Sequence, residues 1–299
     1  AGREQAYAYL LNSAQPDGGI YRKGLANYNT SVSIMALLAA RRTEYDPVLR
    51  KARQFLVGLQ VDLGETGKLD TVMDGGIGYD RKRERADIAN TLFALEALHY
   101  SKRLSVDQPP GATHDLDWQA AIHFIQCCQN LPAVNQESWA SEDPQNAGGF
   151  VYYPGHSMAG TMTNAVTGRV AFRSYGSASY AGLLSYIYAD LRRDDPRVIA
   201  VLHWLRRNYT VDENPGLGPQ GLFYYLHTMT KALTVAGVNE MPQAGGRTVN
   251  WRREVAFKLL NLQQATGAWA NTNARWWEKD PALVTSYALI ALELIHRGL

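Results

Sequence analysis

Apolar residues recur along this chain in two alternating kinds of helical segment. Residues 47–60 carry apolar side chains along one helical stripe and basic or amide side chains on the other, which predicts an outer helix with one wet face. The same pattern recurs at residues 118–128, 196–205 and 252–263. Residues 32–40 and 284–295 are apolar or small on nearly every face, which predicts helices buried all round. The chain should therefore form two layers of helices.

A short glycine turn separates the outer helix from the inner helix in each pair. The last copy runs from Asn261 through two glutamines and Gly267 to Trp269, and an apolar helix begins near Thr285. Similar turns precede apolar segments at Gly18–Tyr21, Gly75–Tyr79, Gly148–Tyr152 and Gly221–Tyr224. Units that recur roughly every 45 to 75 residues indicate an array in which no unit buries its apolar face alone.

Recurring helix pairs without a run of strands predict an all-α fold, the α/α toroid. Such a toroid is a barrel of about five to six helical hairpins, and a repeat that runs from end to end predicts one domain, residues 1–299. Residues 150–173 break the rhythm, because the apolar runs 150–153 and 169–173 could pair as a small β-hairpin. We expect this insertion over one mouth of the barrel, and a solvated surface excursion is the alternative.

Composition and charge exclude several classes of function. The formal net charge is +2 with 19% charged residues, so neither nucleic acid nor an anionic membrane is an expected partner. No segment approaches the roughly 20 apolar residues of a membrane span, and residues 1–5 show no signal-peptide core. We therefore expect a soluble protein, either cytoplasmic or exported with its leader removed. The only cysteines, Cys127 and Cys128, are adjacent, which excludes a disulfide framework and a structural zinc cluster.

The glycine turns and the helix that starts Thr285-Ser286-Tyr287-Ala288-Leu289 resemble the prenyltransferase and squalene oxidase repeat. Squalene-hopene-type terpenoid cyclases, protein prenyltransferase β subunits and thioester domains of complement-like proteins share this repeat. The resemblance covers essentially the whole chain and implies the toroid fold. It leaves the function open, because the chemistry of these families resides in separate motifs.

Those motifs are missing or incomplete. The Asp-x-Asp-Asp acid of polyene-protonating cyclases is absent, and the nearest string, Asp115-Leu116-Asp117-Trp118, starts an outer helix. Protein prenyltransferases hold zinc through an Asp-x-Cys pair and a later His. Tyr225-Leu226-His227-Thr228 is similar to the later position, but Arg173 and Tyr175 stand where Asp and Cys would be. The Gly-Cys-Gly-Glu-Gln thioester is also missing, so neither a metal nor another cofactor is expected.

The starts of the inner helices predict a ligand site, because in a toroid they all open at one end. Helix N-termini carry unpaired N–H groups and partial positive charge, which suits an anionic or polar head group. Aromatic walls with a few polar groups are typical of small-molecule pockets. The candidate ligand-binding residues are Tyr28, Asn29, Asn90, Arg173, Tyr175, Tyr180, Tyr224, Tyr225, Trp276, Trp277 and Tyr287. Helix capping or core packing is the alternative interpretation of each one.

Two residues are candidates for catalysis, and three functions remain open. His227 could act as a general acid or base, and Asp87 is the carboxylate nearest an inner-helix start. The first function is binding or transformation of a small molecule, such as an isoprenoid or other apolar ligand, in a central cavity. The second is a non-catalytic binding or interaction domain that keeps the fold. The third, a carbohydrate-active barrel, ranks behind them because it needs a second, opposed carboxylate. Whether the chain is an enzyme, and which proteins it meets, stays undecided.

Overall fold

The computed structural model describes residues 2–80, 85–106, 115–243, 246 and 248–298. Within these ranges the chain forms eleven α-helices and two small antiparallel hairpins. Its residues cluster into two compact units, Ala1–Ile125 and Gln126–Leu299.

Helices make up the first unit. They are α1 (Gly2–Leu11), α2 (Ala26–Ala39), α3 (Asp46–Val57), α4 (Ile88–Tyr100), α5 (Arg103–Val106) and α6 (Trp118–Cys127). Helices α2 and α4 pack on each other, and α3 lies against both. The helix α4 is buried on most of its faces, whereas α3 buries one side that includes Leu49, Ala52 and Phe55. The predicted contrast between inner and outer helices therefore holds for α4 and α3.

The second unit combines helices with both hairpins. Its elements are β1 (Thr161–Thr163), β2 (Val170–Phe172), α7 (Gly176–Tyr188), α8 (Pro196–Arg207), α9 (Leu222–Val235), β3 (Met241–Pro242), β4 (Thr248–Val249), α10 (Trp251–Leu262) and α11 (Pro281–Arg297). Helix α9 packs between α7 and α11, α8 covers α7, and α10 contacts α9 and α11. Nearly every residue of α7 is buried, which its small Gly, Ala and Ser side chains permit by letting neighbours approach closely.

A repeated hydrogen bond ties four of the five turns to the inner helix that follows each of them. In four of the five sequence repeats, the third residue of the Gly-Gly-X or Gly-Ala-X turn donates its N–H to a hydroxyl near the start of the inner helix. The pairs are Ile20 to Thr30 (2.9 Å), Ile77 to Thr91 (3.0 Å), Phe150 to Ser179 (3.0 Å) and Trp269 to Thr285 (3.1 Å). The recurrence explains why Thr or Ser stands at this position in each of these units: its hydroxyl satisfies a buried N–H of the turn.

The turns also contact the outer helix of the next sequence repeat. The Nε2 group of Gln129 donates to Gly148 O and to Arg197 O, both at 3.0 Å, so it joins its own turn to the first residues of α8. Gly148 has φ +94°, and a Cβ built on it would lie 2.2 Å from Ala200 O. No side chain fits there, because the turn packs directly on the backbone of α8. Gln60 and Gly75 make the equivalent contacts with the start of α6.

The fourth sequence repeat, at Gly221, departs from the predicted pattern. Gly221 adopts a left-handed φ of 64°, and α9 begins with the next residue. Phe223 and Tyr224 are therefore helical, and the prediction of a turn that extends through Tyr224 is wrong. The physical reason lies in a buried carboxylate that holds the first N–H groups of this helix, described below.

The expectation that residues 284–295 are buried all round is also wrong. Helix α11 buries one stripe, Val284, Ala288, Ala291 and Ile295, against its neighbours. On the other side Leu289 is 54% and Ile290 is 42% exposed. Helix α2 shows a milder form of the same departure, because Val32 is exposed. Residue types alone do not show which helix faces have neighbours, so the apolar sequence predicts burial on faces that the structure exposes.

The predicted hairpin insertion is present, with different partners. Strand β1 pairs antiparallel with β2, so that Thr161 lies opposite Phe172 and Thr163 opposite Val170. The apolar run 150–153 is not a strand of this hairpin. Its first residue, Phe150, belongs to the third glycine turn and forms an isolated bridge with Gln129, and its N–H is bound by Ser179. The turn therefore uses the backbone groups that a hairpin would need.

Both cysteines are buried at the end of α6, and neither forms a disulfide. Burial raises the pKa of Cys127 to about 12, and the carboxylate of Glu137 acts in the same direction. Among the residues whose structure is described, no helix combines the length and apolar character needed to cross a bilayer.

Candidate functional site

Three predicted residues form an aromatic cluster between α9 and α11 in the second unit. The His227 and Tyr287 rings stack with their centroids 5.1 Å apart, and the Tyr224 ring is tilted against Tyr287 at 6.0 Å. His227 and Tyr224 lie one helical turn apart on α9, so both can reach the same residue of α11. These three residues, each nominated from its place near an inner-helix start, therefore lie side by side in the structure.

His227 is the polar centre of the cluster. Its side chain is buried, and within the described part of the chain its Nδ1 has no hydrogen-bond partner. Burial lowers the pKa of His227 well below its usual value of 6.5, and the nearby Lys231 ammonium adds to this effect. A hydrogen bond to the backbone of Tyr287 acts in the opposite direction. The imidazole is therefore neutral at pH 7, and it offers one ring nitrogen for a ligand's hydrogen bond.

A buried carboxylate occupies the N-terminus of α9. The Glu278 side chain accepts a hydrogen bond from the Tyr224 N–H and one from the Asn271 amide, both at 2.7 Å. Burial raises the pKa of Glu278, while its bonds to Asn271 and to the N–H groups of Tyr224, Phe223 and Leu222 act to lower it. Glu278 thus binds the N–H groups that would otherwise attract an external anion.

Most other inner helices are capped from within the chain as well. Asp87 caps α4 by accepting from Asn90 N at 2.9 Å, and Asp280 caps α11 by accepting from Ala282 N at 2.8 Å. The first residues of α7 donate to the Asn214 side chain and to Pro215 O, both at 2.9 Å. The expectation of open helix ends that favour an anionic head group is therefore wrong for α4, α7, α9 and α11, because each end is capped internally.

Asp87, predicted as a catalytic carboxylate, lies in a capping arrangement in the first unit. Its second oxygen accepts from the Asn90 side-chain amide at 2.8 Å. The start of α2 lies beside it, because Asn27 Nδ2 donates to Asn90 O at 2.9 Å. The other predicted residues of this unit, Tyr28 and Asn29, are half-buried on α2: the Tyr28 ring packs edge-on against Phe93, and Asn29 donates to Gly24 O.

Four other predicted site residues make packing or anchoring contacts instead of joining the α9–α11 cluster. They are Arg173, Tyr175, Tyr180 and Tyr225. The Arg173 guanidinium is exposed and donates to Thr161 O at 3.0 Å, so it anchors the hairpin. Tyr175 is buried at the start of α7, and its N–H donates to Phe150 O. Tyr180 and Tyr225 are buried with ring centroids 5.7 Å apart, and burial raises the pKa of both. The Tyr225 hydroxyl donates to Thr210 O at 2.8 Å. These contacts fit the alternative interpretation of core packing and anchoring.

Trp276 and Trp277 form an exposed aromatic turn beside the start of α9. They are 42% and 65% exposed, and both have left-handed φ values, 53° and 63°. A Cβ on Gly221 would lie 3.0 Å from the Trp276 ring, so this ring covers the first turn of α9. The Arg275 guanidinium lies 4.8 Å from the same ring centroid. A bulky residue in the left-handed backbone conformation costs about 1 to 3 kcal/mol, and two occur here in succession. Such backbone strain is often found at binding sites.

Sequence reasoning missed Glu278, Asn271 and Arg275. Glu278 follows directly after the two tryptophans, so an acid beside an aromatic pair was the available signal. Its role depends on a contact between residues 54 positions apart, Tyr224 and Glu278, which no local pattern contains. In the described ranges, His, Cys, Asp and Glu side chains nowhere come together in groups of three that could hold a metal ion.

Comparison with known proteins identifies the fold. No family model and no protein with a curated description matches the sequence. Among solved structures, the type II terpene cyclase MstE from Scytonema, without ligand, matches with a TM-score of 0.57 and 14% identity over 98% of this chain and 72% of that one. The chain is similar in fold to type II terpene cyclases. The predicted α/α toroid class and the resemblance to terpenoid cyclases are thereby confirmed as statements about fold.

Two further structures show variants of MstE in complex with its substrate, geranylgeranyl dihydroxybenzoate. They match with TM-scores of 0.56 at 14% and 15% identity, again over 98% of this chain and 71% of theirs. At such low identity the likeness concerns the path of the backbone and leaves the side-chain chemistry to be argued from this chain.

Proposed function

We propose that this chain binds an uncharged, isoprenoid-like ligand in its second unit, at the cluster of Tyr224, His227 and Tyr287 beside the Trp276–Trp277 turn. The observation that carries the proposal is the neutral, buried His227, which stacks on Tyr287 and whose Nδ1 has no partner among the described residues. A buried polar atom without a partner costs about 1 to 3 kcal/mol, and a ligand hydroxyl or carbonyl that binds it would recover much of this cost.

The fold supports the isoprenoid part of the proposal. MstE, which has a similar fold, is described in complex with a geranylgeranyl compound. Aromatic rings such as Tyr287 and Trp276 are the side chains that pack well against polyene chains, because they offer large apolar faces. The polar nitrogen of His227 would then select ligands with one neutral polar group near one end.

The internal caps support an uncharged ligand. A diphosphate would gain from a free helix N-terminus, but the Glu278 carboxylate already holds the N–H groups at the start of α9. An anion at a helix N-terminus gains about 1 to 2 kcal/mol in favourable cases, which is roughly a five- to thirtyfold change in Kd. A diphosphate at α9 would lack this gain, because Glu278 already binds the Tyr224 N–H.

The same caps favour binding without polyene protonation. Asp87 and Glu278 both accept hydrogen bonds from backbone N–H groups, so neither presents a carboxyl group free to deliver a proton. The non-catalytic form of the function follows as the second part of the proposal. A product formed from a polyene by the wild-type chain, and lost in Asp87→Asn, would contradict this part while leaving the binding site itself intact.

Native mass spectrometry with geranylgeraniol and geranylgeranyl diphosphate tests the binding site. We expect a 1:1 complex with the alcohol and weaker binding of the diphosphate. Tyr287→Ala should weaken the alcohol complex by about tenfold or more, since it removes a ring that stacks on His227. Phe257→Ala is the matched control, because Phe257 is also an aromatic residue of the second unit but is 54% exposed on α10.

His227→Phe separates the two parts of the recognition. It keeps the ring and removes the nitrogen, so the alcohol should bind more weakly while the corresponding hydrocarbon binds as before. Equal binding of the alcohol to wild type, Tyr287→Ala and His227→Phe would refute the site. Tighter binding of the diphosphate than of the alcohol would refute the uncharged ligand.

A further inference from the structure

A thioether sulfur takes part in a buried polar cluster of the second unit. Met162 lies in β1, and its sulfur accepts a hydrogen bond from the side-chain amide of Asn146. The hydroxyl of Ser141 also donates to this sulfur, at 3.9 Å. Asn146 and Ser141 are only 4% and 2% exposed, so water does not compete for these donors. Two buried donors are therefore directed at a thioether, which is a weak acceptor.

The rest of the Asn146 side chain and backbone has stronger partners. Its Oδ1 accepts from the Ser174 N–H at 3.0 Å, and its backbone O accepts from Ser174 Oγ at 2.8 Å. The other contact of its amide, to Ser141 Oγ, is long at 3.4 Å. The Met162 sulfur is thus the closer of two acceptors for a buried amide. A stronger acceptor at this position would improve the hydrogen bonding of the cluster.

The cluster attaches the β1–β2 hairpin to the rest of the second unit. On the β2 side, the Asn130 amide donates to Phe172 O and to Ser174 Oγ, both at 2.9 Å. On the β1 side, Met162 makes the corresponding contact with Asn146. The side chains of β1 are exposed, half-buried and exposed in turn, so the half-buried Met162 faces the cluster. A chemical change at its sulfur therefore acts on how firmly the hairpin is held.

We propose that Met162 is a site of reversible oxidation, at which a hydroperoxide converts the thioether to a sulfoxide that the buried donors then hold. The half-buried side chain is within reach of a molecule as small as hydrogen peroxide. A sulfoxide oxygen is a much stronger acceptor than a thioether sulfur, and the Asn146 amide and Ser141 hydroxyl are the donors it needs. In an apolar core, by contrast, the polar sulfoxide disrupts packing.

The peroxide supplies everything that the step requires. A lone pair of the Met162 sulfur attacks one peroxide oxygen, so that the S–O bond forms as the O–O bond breaks. The proton of the attacked oxygen passes to the departing hydroxide, which leaves as water. Sulfur loses two electrons and the peroxide gains them. Because methionine is unbranched and flexible, rotation of the side chain turns the new oxygen toward Asn146. Methionine sulfoxide reductases return the sulfoxide to the thioether.

A second methionine of the insertion, Met158, provides the comparison. It is also half-buried, and its sulfur accepts from the Arg275 guanidinium at 3.8 Å. Arg275 is exposed, so water can replace this bond when Met158 is changed. Oxidation or substitution of Met158 therefore changes no buried hydrogen bond. The inference does not depend on the proposed ligand, because Met162 and its donors lie outside the proposed ligand site.

Two substitutions imitate the two chemical states of Met162. Met162→Gln offers a carbonyl oxygen to the donors, as a sulfoxide would, whereas Met162→Leu keeps an apolar side chain and offers no acceptor. Tryptic cleavage after Arg169 measures how often the hairpin opens. The Arg169 guanidinium donates to Ser138 O and Ala140 O, so the hairpin must release it before trypsin can bind it.

Met162→Leu should be cleaved after Arg169 about tenfold faster than wild type, because a buried amide loses its closer acceptor. Met162→Gln should be cleaved no faster than wild type. Met158→Leu is the matched control and should also be cleaved at the rate of wild type. Equal rates for the leucine and glutamine variants of Met162 would overturn the proposal, since the acceptor would then have no effect.

Treatment of the Met158→Leu protein with hydrogen peroxide tests the modification itself. Peptide mass mapping should find one added oxygen on Met162 while circular dichroism still shows a folded chain, and a methionine sulfoxide reductase should remove that oxygen. The oxidised protein should be cleaved after Arg169 no faster than the untreated protein. Faster cleavage of the oxidised protein overturns the proposal, and so does a Met162 that is oxidised only after the chain is unfolded.

Discussion

Replacing either Gly148 or Gly267 of the second unit by alanine tests how much the packing of a glycine turn on a helix contributes to stability. Both glycines belong to the second unit and have similar left-handed φ values, +94° and +83°. Placing alanine in this region costs about 1 to 2 kcal/mol, and this backbone cost should be the same at both positions. At Gly148 the Cβ position lies 2.2 Å from Ala200 O, whereas at Gly267 no atom of the described residues lies within 4 Å of it.

The extra cost at Gly148 follows from this neighbour. The new methyl group would overlap a backbone oxygen, which cannot rotate away, so the turn must move off α8. Forcing extra atoms into packed structure costs about 1 to 3 kcal/mol. We therefore expect Gly267→Ala to lower the free energy of unfolding by about 1 to 2 kcal/mol and Gly148→Ala by about 2 to 5 kcal/mol.

Urea unfolding measures the difference. The transition is followed by far-UV circular dichroism and by tryptophan fluorescence, and the midpoints are compared at unchanged slope. Equal shifts for the two variants would show that the glycines serve only the backbone conformation. A larger shift for Gly267→Ala would contradict the close packing of the Gly148 turn on α8.

Three further predictions concern titratable side chains. The pKa of His227 is lowered in the folded state, so below about pH 6.5 the unfolded chain binds the proton more tightly. The free energy of unfolding of the second unit should therefore fall as pH drops, by at most about 1.4 kcal/mol per pH unit. His227→Phe should remove this slope in urea melts measured at several pH values. The pKa of Glu278 is raised, so the folded state binds its proton more tightly and stability should fall as pH rises above 4.5; Glu278→Gln should abolish that trend, and an unchanged slope would contradict the assignment. Asp87→Ala should destabilise the first unit by about 1 to 2 kcal/mol through loss of the α4 cap, whereas Asp87→Asn, which can still cap, should cost far less when both are compared by thermal melting.

The repeat was visible in the sequence because each turn combines a residue pattern with a local physical need. A glycine with positive φ and a hydroxyl at the following inner helix recur in the chain, and in four of the five repeats a hydrogen bond joins the turn to that hydroxyl, as between Ile77 and Thr91. The amphipathic stripe of α3 likewise reports its burial directly. Such features depend on neighbours within about 30 residues, so a pattern in the sequence captures them.

The site was less accessible to the same reasoning. Tyr224, His227 and Tyr287 were nominated from their places at helix starts, and they meet in the structure. The polarity of the helix ends was misjudged, because the carboxylate that caps α9 comes from Glu278, far along the chain. The open face of α11 was missed for a related reason: the residue types are those of a buried helix, and only coordinates show which neighbours are there.

The two buried thiols at the end of α6 provide a chemical clock for opening of this region. With its pKa raised to about 12, Cys127 holds only about one thiolate in 10⁵ molecules at pH 7, and thiolate is the form that alkylating reagents attack. Modification must therefore wait until the chain opens and the thiol regains its ordinary acidity. The rate of iodoacetamide incorporation, followed over time by mass spectrometry, therefore reports how often this region opens.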